Sequence, residues 1–177
     1  MSKMPIKNII TVPNEILRKK SQLVEKITNL EKTLVNDMFE TMYNSNGIGL
    51  AAIQIGIAKR IVVLDVSGKD EEKKPMCFIN PKIKNTSDER SVYEEGCLSI
   101  PNTFIQIERP KTCVVEYVDL NSKKKEIKCN DLLSTCIQHE CNHLDGKLII
   151  DFLSKFKKDL IIKKISKNKS SPNKIVV

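Results

Sequence analysis

The chain carries only two histidines in 177 residues, and they stand at positions 139 and 143 with Glu140 beside the first. Side chains four residues apart share a face on a helix, so a common task for the two rings commits this stretch to that conformation. From Asp131, read as the N-cap, LLSTCIQHECNHLDG runs to a terminating Gly146 and puts Leu132, Leu133, Cys136, Ile137 and Leu144 on a buried side. Both imidazoles can then reach one ion while Glu140 stands beside it to handle protons. The same spacing also occurs on ordinary amphipathic helices, where the histidines are polar residues near a surface.

A catalytic metal site uses three protein ligands and leaves a position open. The elongated H-E-x-x-H-x-x-G-x-x-H pattern would need a histidine where Ile149 stands, although Gly146 fits it. No glutamate follows Glu140, and the acids downstream of the motif are Asp145, Asp151 and Asp159. The third ligand is therefore expected upstream, and a thiolate is a natural partner for two imidazoles on zinc or ferrous iron. Cys97, in EEGCLSIP, follows Gly96 at the end of an apparent strand, where the backbone can approach closely and the thiol can face a cleft. Cys113 and Cys129 fall inside apparent strands, Cys136 reads as pocket wall beneath the ligands, and Cys141 should project away from them.

The rest of the chain reads as α+β, with short antiparallel strands around a central metal-binding helix and further helices toward the N- and C-termini. In 29–44, Leu30, Leu34, Met38 and Met42 recur every four residues as one helical face. The β-branched run 60–66 is a buried strand, followed by a charged connection. Short extended segments, CFIN, SVYEE, TFIQIE and TCVVEYVDL, lie between Cys77 and Glu126, and VDLNSKKKEIKC is a hairpin closed around Asn121 and Ser122. A last helix is expected over 157–167, with the final ten residues frayed. Length and the absence of a repeat give one domain over 1–177, with a basic helix and tail from about 155 to 177.

Composition bears mainly on compartment and partners. No apolar run nears the ~20 residues of a membrane helix, and MSKMPIKN lacks the apolar core of a signal peptide. The expectation is a cytoplasmic protein without a membrane partner, its six cysteines mostly free thiols. The net charge of +8 is concentrated toward the end, between Lys155 and Lys174, and reads first as a solvated tail.

Three segments taken together, GIGLAAIQ at 47–54, EGCLS at 95–99 and QHECNHLDG at 138–146, resemble the peptide deformylases in order and spacing. The opening IITVPNEILRKKSQLVEKI also resembles that family. The resemblance implies hydrolysis of the formyl group from the N-terminal formylmethionine of new polypeptides, with release of formate. It makes Cys97, His139 and His143 the ligands of one divalent metal ion, iron(II) with zinc, nickel or cobalt as substitutes, and Glu140 the acid/base. By the same resemblance, Gln54 and the Leu98 backbone N–H donate to the oxyanion, and Gly47 and Gly49 let an extended peptide lie close. Ile48, Leu132, Thr135 and Cys136 match the methionine pocket, although each is also an ordinary core residue type. Glu95 and Arg109 match an ion pair behind the metal.

Two positions depart from the family pattern: Ile53 where many members carry proline, and Asn142 where many carry aspartate. Neither is a ligand, so the departures bear on rate and metal preference. An H-E-x-x-H peptidase is the competing enzyme, disfavoured by the missing downstream ligand. A basic ribosome-binding module with a structural metal is the non-enzymatic alternative, and the lysine-rich end is its support. The two can coexist, with nascent chains as substrate, the ribosome as a docking partner and no sequence-specific contact to nucleic acid.

Overall fold

The computed structural model describes residues 6–68 and 70–170, with side chains to Lys167. Helix α1 spans Asn29–Asn44 and begins at a capping box. The Thr28 hydroxyl accepts from Leu30 N at 3.2 Å, and Thr28 N donates to Glu31 Oε2 at 2.9 Å. Its buried stripe is Val35, Met38 and Met42, whereas Leu30, expected on that face, is 78% exposed. A row of residues spaced by four turns 40° at each step, so Leu30 has wound off the stripe that Val35 continues.

Among the described residues, seven strands follow. Strands β1 (Gly49–Ala51), β2 (Ile61–Leu64), β3 (Met76–Thr86), β6 (Thr112–Val118) and β7 (Lys124–Asn130) form one antiparallel sheet in that spatial order. Strands β4 (Arg90–Cys97) and β5 (Ile100–Pro110) make a separate two-stranded ribbon. The segment CFIN is only the start of β3, which continues past Pro81. A register shift between Ile79 and Lys82 accommodates the proline, and Asn80 adopts φ 52° there. Its side chain bonds Val24 N and O, each at 2.8 Å, which fixes the irregularity against the N-terminal segment.

Helix α2 covers Asp131–Leu144. Asp131, expected as the N-cap, is the first helical residue, and Asn130 holds the cap position without a side-chain cap bond. Instead Asp131 N donates to Lys111 O at 2.9 Å and φ is 47°, so tertiary pairing starts this helix. At its far end Gly146 adopts φ 72°, and a Cβ there would strike the Arg18 carbonyl oxygen, a conformation and a contact that favour glycine. Helix α3 runs over Lys155–Ser170, longer than expected. Of the tail expected to fray, residues 171–177 lie outside the described residues.

Helix α2 positions the site because it is covered on both sides. Ile137, Cys141 and Leu144 share a buried cluster with Val62, Leu64, Phe78 and Val115 of the five-stranded sheet. On the sheet's other face Ile61, Val63 and Ile79 pack with α1, which is why the RIVVLDV run is apolar on both sides. The opposite side of α2 meets the β4–β5 ribbon, from which Glu95 reaches His139 and Arg109 reaches Asn142. A third cluster joins Ile105 and Ile107 of β5 to Leu148, Ile149, Ile150 and Ile165.

Candidate active site

Cys97 ends β4 where the ribbon register shifts after Gly96, and that irregularity turns its thiol toward α2. His139 and His143 occupy successive turns of the helix, their ring centroids 5.0 Å apart. Ligand atoms of the three residues all lie within 4.8 Å of one another, and Cys97 Sγ is 3.2 Å from His143 Nε2. Such separations suit one shared ion with ligand bonds of about 2.0–2.3 Å. Cys136 is not in the cluster, and Cys141 is buried in the α2–sheet core. All six cysteines are free thiols.

The surroundings are built to hold those ligands. His139 Nδ1 is 2.8 Å from Glu95 Oε2, and with Nδ1 as donor its Nε2 lone pair is left for the cluster. Glu95 receives Arg109 through both carboxylate oxygens, at 2.6 and 3.0 Å, and Arg109 Nη1 donates to Asn142 Oδ1 at 2.8 Å. Asn142 thus supplies a neutral acceptor to a buried fork. Burial works to raise the Glu95 pKa, but bonds from His139 and Arg109 hold the carboxyl below its usual range. Burial opposes charge on His139, yet bonds to Cys97 and Glu95, with the field of Glu140, push its pKa up to about 10. His143 moves far the other way, through burial and the neighbouring charges of His139, Arg109 and Arg18. A cation on the three ligands would hold both rings unprotonated, since imidazole binds metals as the neutral base.

Glu140 is 5% exposed, and its Oε2 has no hydrogen-bond partner among the described residues. Burial raises its pKa to about 7; His139 and Arg109 pull it down and Glu95 pushes it up. A buried carboxylate with an orphaned oxygen, beside a Cys-His-His set, fits a site made for a cation and a reacting water. Gln54 is anchored by Ala51 N, which donates to its Oε1 at 2.9 Å, while its Nε2 lies 3.1 Å from Ser99 Oγ and 3.7 Å from Cys97 Sγ.

A cavity of about 580 Å³ opens beside these groups. Gly47, Ile48, Gly49, Gln54, Leu98, Leu132, Thr135 and Cys136 all line it, as do Cys97, His139 and Glu140; His143 lies behind that wall. Leu132, expected on the buried side of α2, is 37% exposed because the first turn overhangs the cavity mouth. A Cβ on Gly49 would collide with Glu140 Oε1, so glycine there makes room for the carboxylate. Sequence reasoning missed Ser99, Tyr93, Asn102 and Phe104. Ser99 lay in view inside EGCLS; the other three are brought to the cavity by the ribbon's fold, for which the sequence holds no local signal.

The chain matches the family model described as polypeptide deformylase over residues 6–159. The chain belongs to the polypeptide deformylase family. A peptide deformylase of Pelagibacter ubique is 55% identical over 174 residues, 98% of this chain and all of that one. One from Bartonella tribocorum is 51% identical over 96% of this chain and 97% of its own. Among solved structures, the Ehrlichia chaffeensis peptide deformylase in complex with actinonin superposes with a TM-score of 0.90 at 42% identity, covering 95% of this chain and 100% of that one. The α+β arrangement is thus the deformylase fold, and the Cys97, His139 and His143 cluster could bind a metal ion, as a metal-dependent deformylase requires. Among the described residues, no helix is long and apolar enough to cross a membrane.

Proposed function

We propose that this deformylase-family chain hydrolyses the formyl group from N-terminal formylmethionine of newly made polypeptides, with Cys97, His139 and His143 as ligands of one divalent ion and Glu140 as acid/base. The observation that carries the assignment is the convergence of the three ligand atoms beside a buried carboxylate with an unpartnered oxygen. An ion held by Cys97, His139 and His143 would supply Lewis acidity and lower the pKa of a water.

The chain's own residues do the rest. Glu140, its pKa raised toward neutrality by burial, takes a proton as the water attacks the formyl carbon and returns it to the departing amine, so formate and a free α-amine result. Gln54 Nε2 and the Leu98 N–H donate to the oxygen as it gains charge. Ile48, Leu132, Thr135 and Cys136 receive the methionine side chain, while Gly47 and Gly49 allow the peptide backbone to run close to β1, an edge strand. Glu95 and Arg109 hold His139 in the tautomer that leaves Nε2 for the ion.

The donor set suits iron(II), with zinc, nickel or cobalt as substitutes, and the work belongs in the cytoplasm, where new chains emerge. The exposed lysines of α3, Lys155, Lys157, Lys163 and Lys164, offer an electrostatic contact to the ribosome without reading nucleic-acid sequence. Reversing these four charges should abolish salt-sensitive binding to ribosomes; unchanged binding would remove that role.

The deciding assay is formate release from a formyl-Met tripeptide by protein purified without oxygen, beside the metal-stripped form and Glu140→Ala. Release is expected to require the metal and to fall by about 10²–10⁴-fold in the variant. No release from folded, metal-loaded protein would defeat the reading.

A further inference from the structure

Segment 45–48 joins α1 to β1, and Ser45, Asn46, Gly47 and Ile48 all line the cavity ahead of Gly49. Asn46 and Ile48 are exposed and Asn46 adopts φ 54°, so burial does little to fix this stretch. Its first residues close the end of α1, with Asn46 N donating to Tyr43 O at 3.1 Å and Gly47 N to Met42 O at 2.9 Å. Asp65, the residue after β2, then ties the far end back to the helix. Its N–H donates to Ile48 O at 2.9 Å, and its Oδ2 accepts from the Tyr43 hydroxyl at 2.6 Å. Ser67 donates to Asp65 Oδ1 through N at 3.0 Å and Oγ at 2.5 Å, and Lys74 N donates to Oδ2 at 3.2 Å. Asp65 is 4% exposed; burial works to raise its pKa, but the bonds from Ser67, Tyr43 and Lys74 hold it below the ordinary value, so it accepts as a carboxylate. The Tyr43 ring is seated in turn, stacked with Phe39 at 6.2 Å between centroids and with Lys73 Nζ 3.8 Å over its own.

We propose that Tyr43 and Asp65 are positioning residues that latch segment 45–48 to the end of β2, so that Ile48 and Gly49 meet an incoming peptide in a fixed place; this rests on the deformylase reading above. The Tyr43 side chain, Asp65, Ile48 and the chain back to Tyr43 form a closed circuit. Opening it at the hydroxyl lets Ile48 drift from the helix end, and the ordering of the segment then falls on the binding step instead of on folding. The three ligands and Glu140 stand on β4 and α2, outside the circuit, so a peptide once bound reacts at its usual rate. The expected mark is therefore on KM and not on kcat.

The test is Tyr43→Phe, which removes the hydroxyl and keeps the ring on Phe39, measured as the metal-loaded full chain on a formyl-Met tripeptide. KM is expected to rise about three- to tenfold, the order of one lost hydrogen bond, with kcat within about twofold. Amide hydrogen exchange should quicken at Asn46, Gly47 and Ile48 and stay as it was in α2. Asp65→Asn should also raise KM, and the double variant should be no worse than Asp65→Asn alone, because both changes open the same bond. An unchanged KM in Tyr43→Phe, unaltered exchange at 46–48, or a kcat that falls in step with melting temperature at constant KM overturns the latch and leaves deformylation standing. Absence of turnover by the wild type removes the deformylase reading and this inference with it.

Discussion

Gly49 has no room for a side chain, and what fills the room is catalytic in the reading above. A Cβ there would overlap Glu140 Oε1 and come within 2.8 Å of Leu64 Cδ2. Leu64 belongs to the packed core, so Glu140 is the group that must move. Gly49→Ala is expected to cost about a hundredfold in kcat with a near-normal melting temperature, because misplacing a catalytic group by about 1 Å has that effect. Full activity in a formate assay would show that Glu140 has slack. Arg109 presents a different kind of constraint. It is 5% exposed and bonded to Glu95 through both of that residue's oxygens. Arg109→Ala leaves the buried Glu95 charge with His139 but without its arginine counter-ion, which costs up to about 3–5 kcal/mol, and loosens the carboxylate that orients His139. Lower melting temperature and substoichiometric metal by elemental analysis are expected together; normal metal content would confine Arg109 to a packing role. Lysine keeps the charge but not the fork, so Arg109→Lys should restore stability more than metal retention.

At the scale of elements, α1 is held at its start by one carboxylate. Glu31 accepts from Thr28 N and Oγ1 on Oε2, and from Lys59 Nζ on Oε1 at 2.6 Å. The Lys59 bond, then those of Thr28, lower its pKa from 4.5 to about 2. A carboxyl more acidic in the folded chain than in the unfolded one contributes stability that is complete above about pH 4.5 and is lost as pH falls toward 2. Glu31→Gln should therefore cost about 1 kcal/mol near neutrality, and the gap to wild type should close between pH 4.5 and 2 in denaturant titrations. A gap independent of pH would mean that the charge contributes nothing. The T-x-x-E spacing of this box is local, as are the periodicity of α2 and the hairpin around Asn121 and Ser122, so patterns of this kind are legible in sequence. Cys97 was legible because competing ligands were few. The Lys59 partner, the exposure of Leu30 and Leu132, the continuation of β3 past Pro81 and the aromatic rim at Phe104 each depend on what another segment brings alongside. Residues 31 and 59, or 24 and 80, become neighbours only once the sheet exists, and no local pattern encodes that.

Over the whole molecule, the site is clamped from a distance by the 3₁₀ turn that precedes α1 and by α3. The 3₁₀ turn Glu15–Arg18 presses its backbone against Gly146, just past the end of α2. Arg18 and Lys158 of α3 both reach Asp151, which also accepts from Leu148 N at 2.8 Å. Ile165 of α3 is 7% exposed, and Ile161 and Ile162 pack on the same cluster as Ile105, Ile107 and Ile150. The last helix is therefore part of the fold that backs the β4–β5 ribbon, whatever its lysines contact outside. Ending the chain after Ser154 strips one fully and two partly buried isoleucines from that cluster, and at about 1.5–3 kcal/mol for a fully buried aliphatic side chain the loss is about 3 kcal/mol or more. The truncated protein should unfold at lower denaturant, and hydrogen exchange should quicken in β5 before it does in β2 or β3, which α3 does not support. Unchanged exchange in β5 would show that the cluster closes without α3. Charge reversal at Lys155, Lys157, Lys163 and Lys164 touches only exposed side chains and should leave exchange in β5 unaltered, so the two kinds of variant separate what α3 does for the fold from what it does for a partner.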